Sequence, residues 1–94
     1  MLILICYDVA TTDKEGQRRL RRVARACQDY GQRVQNSVFE CNVDKTRWIV
    51  LKERLLQEIR KSEDSLRIYF LDKDVKIEHY GVKKHFDLDD PLIF

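Results

Sequence analysis

Residues 1–10 read MLILICYDVA. From Met1 to Val9 the run is almost continuously apolar and rich in branched side chains, the pattern of a buried central strand. The apolar run halts at Ala10-Thr11-Thr12-Asp13, which leaves Asp8 at the strand exit. The rest of the chain is therefore read for the strands and helices that would bury such a strand.

Downstream, Leu20, Val23, Ala24, Cys27 and Tyr30 fall at i, i+3, i+4, i+7 and i+10, one face of an amphipathic helix, with Gly31 as its C-terminal stop. Residues 32–43, QRVQNSVFECNV, alternate Val34, Asn36, Val38 and Glu40 against Arg33, Gln35, Ser37, Phe39 and Cys41, which predicts a strand with mixed faces. Asp44 reads as the N-cap of a second helix. Its stripe is Trp48, Leu51, Leu55 and Ile59, widened by Ile49 and Leu56, and Lys61 to Asp64 end it. Trp48 and Phe70 are read as core. Ser65 to Leu71 alternates, Val75 to Tyr80 alternates again, and residues 71–74 are the hairpin turn between them. The order is read as βαββαβ, an α+β, ferredoxin-like fold with a four-stranded antiparallel sheet and both helices on one face.

A chain of 94 residues makes one small domain, so any extensive site has to be shared between chains. Residues 1–80 are read as the core and 81–94 as an extension. The charged fraction of 36%, with three Gly and one Pro, excludes neither a partner nor a ligand but argues against disorder. A net charge of +2 is too small to argue for nucleic acid, so placement of charge decides. Cys6, Cys27 and Cys41 lie in apolar runs and read as reduced core thiols. The opening apolar run is far short of the roughly 20 residues of a membrane helix and resembles no cleavable leader. A soluble, cytoplasmic protein with no membrane partner is expected.

The chain ends in the apolar Pro91-Leu92-Ile93-Phe94. A short fifth strand is expected there, added to a sheet edge of this chain or of a partner subunit. The alternative is a tail docked on its own domain.

Asp8, after Tyr7, puts a carboxylate at the sheet margin, where it can bind a divalent cation or cap the turn that follows. Magnesium takes about six oxygen ligands, so the cation reading needs a two-fold axis that brings Asp8 to its mate. Two such carboxylates can hold one hydrated ion for phosphodiester hydrolysis. Arg18, Arg21, Arg22 and Arg25 lie opposite the Leu20 to Cys27 stripe and form an arginine ridge. It reads either as a track for a phosphate backbone or as a solvated basic face. Arg33, Gln35, Asn36 and Ser37, with Arg67 and Tyr69, line either an active surface or a dimer interface, or else simply an exposed sheet face. His79 and His85 lack metal-pair spacing and receive no role.

Four segments, MLILICYDVA, GQRVQNSVFECNVD, DSLRIYFL and DLDDPLIF, together span nearly the whole chain. They resemble the small CRISPR-associated adaptation endonucleases, the second protein family of that system. The terminal segments resemble the variant of type I systems of the C subtype. The resemblance implies a strand-exchanged homodimer with Asp8 facing its mate across the two-fold. It implies an endonuclease dependent on Mg2+, or another divalent cation, acting on DNA or RNA, with Asp8 as catalytic and metal-binding residue. It also implies a bridge between dimers of the companion integrase. Arg18, Arg21, Arg22, Arg25 and Arg33 are the expected nucleic-acid contacts, and Tyr7, Ser37 and Phe39 are expected to shape the site. Two other readings stand beside this one: a non-catalytic DNA-binding scaffold of the integrase, and a toxin-like messenger RNA nuclease of the same fold.

Overall fold

In the computed structural model, which describes residues 1–71, 73–78, 80 and 81, the chain begins with β1 (Leu2–Asp8), α1 (Lys14–Tyr30) and β2 (Gln32–Gln35). It continues through β3 (Val38–Asn42), α2 (Lys45–Glu58) and β4 (Ser65–Leu71). The sheet runs β2-β3-β1-β4, and every neighbouring pair is antiparallel. β3 thus separates β1 from β2, and β1 separates β3 from β4. This is the split βαβ, ferredoxin-like arrangement expected from the sequence.

Two of the strands arise differently from the expectation. Residues 32–43 do not form one strand: the chain reverses at Asn36-Ser37 and pairs with itself, Gln35 opposite Val38 and Arg33 opposite Phe39. Asn and Ser favour turns because their side chains can satisfy nearby backbone groups, and that outweighs the alternation running through them. Conversely, residues 75–78 and Tyr80 lie outside any strand, with Val75, Ile77 and Tyr80 exposed. Among the described residues no core surface faces that run. His79 and residues 82–94, with His85 and the expected fifth strand, lie outside the described residues.

The core lies between the sheet and its helices. Ile3, Ile5 and Tyr7 of β1 and Phe39 and Cys41 of β3 meet Val23, Ala26 and Cys27 of α1 and Trp48, Leu51 and Leu55 of α2. Ile49 and Leu56 do not widen that stripe, being 55% and 39% exposed. Each helical residue turns the direction by about 100°, which carries Ile49 away from the face Trp48 presents. Phe70 is also not core. It meets Trp48 edge-on at 5.6 Å, yet it is 59% exposed because β4 is the sheet's outer strand.

Caps fix the helix ends. The Asp13 carboxylate accepts the Gly16 N–H at 2.7 Å, and Asp44 accepts that of Arg47 at 2.7 Å. Gly31 stops α1 as expected, but its φ of −160° is ordinary extended backbone. Glycine is needed there for space: a Cβ would run into the Glu40 carbonyl and Cys41 Sγ.

Strand alternation puts Leu2, Leu4, Cys6 and Asp8 on the sheet face away from the core. The register adds Ser65, Arg67, Tyr69 and Leu71 of β4 and Val38 and Glu40 of β3 to that face. Among the described residues no second layer covers it.

Candidate active site

Asp8 is the last residue of β1 and is exposed. Pairing of β1 with β3 ends at Cys6 opposite Val38, and a last hydrogen bond runs from the Tyr7 N–H to the Ser37 carbonyl at 3.1 Å. Beyond that point β1 is held on the β4 side alone, Tyr7 opposite Leu66 and Asp8 opposite Ser65. The carboxylate therefore stands at a strand end, on the uncovered sheet face, next to the β2–β3 turn.

Tyr7, Arg33, Ser37 and Phe39 gather at the same end of the sheet. The buried Tyr7 hydroxyl donates to the Asn36 carbonyl at 3.2 Å, and its ring meets Phe39 edge-on at 6.2 Å. Burial raises the Tyr7 pKa, with Arg33 pulling the other way, so the phenol stays protonated near neutral pH. The Arg33 guanidinium lies over the Phe39 ring at 5.1 Å with its buried Nε unpartnered. Tyr7 and Phe39 point into the core while Asp8 points away from it, so they support the strand end and do not line a common cleft with the carboxylate. Burial pushes the Cys27 thiol up to about 12 and Cys41 up to about 11, which leaves neither as a thiolate nucleophile.

The arginine ridge is narrower than the sequence pattern. Arg18, Arg21 and Arg25 are exposed and enter no ion pair among the described residues. Arg22 is tied down between helices: its Nε donates to Glu58, and Glu15 lies 4.0 Å from its Nη2. The ridge also runs along the helix layer, on the side of the sheet opposite Asp8. One chain does not bring its ridge and its strand-end carboxylate together.

Arg19, inside the same arginine run, is 3% exposed. Its Nε donates to Asp64 at 2.9 Å and its Nη2 at 3.2 Å, and Asp64 also accepts the N–H groups of Arg60 and Ala10. The Arg19 hydrogen bonds chiefly, helped by the two backbone donors, hold the Asp64 carboxyl at about 2 against the cost of burial. Sequence reading missed this pair. The available signal was an arginine next to Leu20 at the edge of the apolar stripe, where an exposed ridge residue does not fit.

The sequence model of the family described as "CRISPR associated protein Cas2" matches residues 1–76. The chain belongs to the Cas2 family. A "CRISPR-associated endoribonuclease Cas2" from Nitratidesulfovibrio vulgaris is 58% identical, over 99% of this chain and 93% of that protein. A "CRISPR-associated endonuclease Cas2" from Halalkalibacterium halodurans is 57% identical over the full length of both. Among solved structures, Streptococcus pyogenes Cas2 superposes with a TM-score of 0.73 at 51% identity, covering 79% of this chain and 89% of that one. The Cas2 relatives and the ferredoxin-like sheet agree on the architecture. No described helix is long and apolar enough to cross a membrane.

Proposed function

We propose that this Cas2 chain works as a homodimer, joined over the uncovered sheet face, that binds nucleic acid and cleaves its phosphodiester bonds with a divalent cation held between two Asp8 carboxylates. The observation that carries the reading is the composition of that face. Leu2, Leu4 and Cys6 of the inner strand β1 give it an apolar row, flanked by Val38 and Glu40 on one side and by Arg67, Tyr69 and Leu71 on the other, and Asp8 stands at the end of that row. A sheet with helices on one side only has this apolar surface to bury, and a second copy supplies the same surface by symmetry. The names of the relatives, endoribonuclease and endonuclease, support cleavage and favour RNA as substrate.

Within one chain the donors do not fit magnesium. Among the described residues no group of three His, Cys, Asp or Glu side chains could hold a metal ion. Two chains meeting at Asp8 supply two carboxylates, and water completes the roughly six oxygens the ion takes. A divalent ion held by the two Asp8 carboxylates would supply Lewis-acid activation of the phosphodiester and of the attacking water. The chain's own residues do the rest. Asp8 provides the anionic ligand, β4 and the β2–β3 turn hold its strand end, and Arg18, Arg21 and Arg25 neutralise phosphates along the duplex or strand. Docking with the companion integrase, in a type I system of the C subtype, belongs to the same proposal.

A second reading is favoured by the lone carboxylate: a scaffold that spaces integrase dimers on DNA without cutting. Asp8→Ala separates the two. Magnesium-dependent cleavage of single-stranded RNA or duplex DNA by the wild type, reduced at least about 100-fold in the variant with nucleic-acid binding kept, supports the hydrolytic dimer. Absence of cleavage in both proteins leaves the scaffold.

A further inference from the structure

We propose that Asp64, locked by Arg19, is a positioning residue for Asp8, fixing the exit of β1 so that the two carboxylates of a dimer meet at one cation. The inference rests on the reading of Asp8 as a metal ligand. Three observations carry it.

The first is how little else holds the strand end. β3 releases β1 after the Tyr7 N–H to Ser37 hydrogen bond, and at Asp8 itself strand pairing continues on the β4 side alone, with Val9 buried in the core just beyond. The second is where Asp64 reaches. Its Oδ1 accepts the Ala10 N–H at 3.0 Å, two residues past Asp8, while the next residue, Ser65, is the register partner of Asp8 itself. Asp64 therefore holds the chain just beyond Asp8 and immediately precedes the residue that pairs with it. The third is the rigidity of the grip. The Asp64 side chain is 0% exposed, and it accepts from Arg19 Nε at 2.9 Å, Arg19 Nη2 at 3.2 Å and the Arg60 N–H at 2.8 Å. Arg19 sits on α1 and Arg60 just past α2, so one carboxylate ties both helices to the strand exit.

The far side of the loop is pinned as well. A Cβ at Gly16 would overlap the Ala10 carbonyl, so the first turn of α1 packs directly on the residue whose N–H Asp64 holds. Nothing in the proposed chemistry uses Arg19 or Asp64 directly. Their effect reaches a reacting group only through the backbone between Asp8 and Ala10, which is what separates positioning from catalysis. Supporting groups of this kind around metal ligands typically change affinity or rate by about 10–100-fold when removed.

The test compares wild type, Asp64→Asn, Asp8→Ala and the double variant, with Mn2+ as the probe ion followed by its electron paramagnetic resonance signal. Cleavage of single-stranded RNA is measured alongside, at a temperature where circular dichroism shows every protein folded. Asp64→Asn is expected to weaken Mn2+ binding about 10-fold and to lower kcat by a similar factor, with KM for RNA within about twofold. In the Asp8→Ala background the same substitution is expected to add no further loss. An Asp64→Asn protein that melts earlier but binds Mn2+ and turns over like wild type makes the pair purely structural and overturns the proposal. If Asp64→Asn does not fold, Arg19→Lys, which keeps the charge and loses the fork, takes its place: the same losses support the proposal, and wild-type Mn2+ binding and turnover overturn it. Wild type that neither binds Mn2+ nor cleaves removes the metal reading itself and this inference with it, an outcome seen before any variant is made.

Discussion

Arg19 and Arg22 stand three residues apart in one arginine run, yet one is sealed against Asp64 and the other spans two helices in solvent. Their burial assigns them different energies. Leaving Arg19 buried without its partner is costly, so Asp64→Ala is expected to destabilise the fold by about 3 kcal/mol, measured as the shift in urea midpoint. The exposed Arg22–Glu58 pair contributes at most about 1 kcal/mol, and Glu58→Ala should be close to neutral in the same assay. The Asp64 carboxyl is held down from its ordinary 3.8 to about 2. A depressed carboxylate stabilises the fold fully above its unfolded pKa and loses that contribution as pH falls through the folded one. Wild-type stability should therefore decline steeply from about pH 4 towards pH 2, and Asp64→Asn should show a shallower decline over the same window. The buried pair was not legible as a pair, because its members are 45 residues apart in sequence and only the packing of the α2–β4 turn on α1 joins them.

At the scale of elements, the two helices were legible from their apolar periodicity and, for α2, from Asp44 as cap. β1 and β4 were legible too. What misled was alternation, which sets side chains on two faces without saying whether the chain continues or turns back. The polar Gln35-Asn36-Ser37 stretch marks the reversal that makes β2 and β3 a hairpin, while the described residues of the equally regular run from Val75 to Tyr80 form no strand. The buried stripe of α2 is narrower than its apolar periodicity for a similar reason: periodicity gives an axis, and packing sets how far round the helix the core reaches. Leu51→Ala is expected to cost about 2–5 kcal/mol, while Leu56→Ala, 39% exposed in the wild type, should cost under about 1 kcal/mol by thermal denaturation. Gly31→Ala should destabilise strongly despite an ordinary backbone angle, because its Cβ would displace β3 backbone.

For the molecule as a whole, the exposed arginines and Asp8 lie on opposite sides of the sheet. Arg18, Arg21 and Arg25 face outward from the helix layer, and Asp8 faces the uncovered side. Each ridge arginine replaced by Ala is expected to lower the salt slope of nucleic-acid binding by about 1, whereas Arg22→Ala, whose charge Glu58 already engages, should leave it nearly unchanged. The sequence offers Asp8 and the basic run as candidates but not their separation, since neither spacing nor composition records which face of a sheet a strand end presents. The proposed dimer, closed over that face, would bring two Asp8 carboxylates together and leave the two arginine ridges on its outer helix layers. The most direct test is the stoichiometry of Mn2+ bound to the purified protein, titrated by electron paramagnetic resonance alongside its mass in sedimentation equilibrium. A dimer that takes up one ion per two chains, and none after Asp8→Ala, is the predicted result. One ion per chain, a monomer, or binding that survives Asp8→Ala would contradict it.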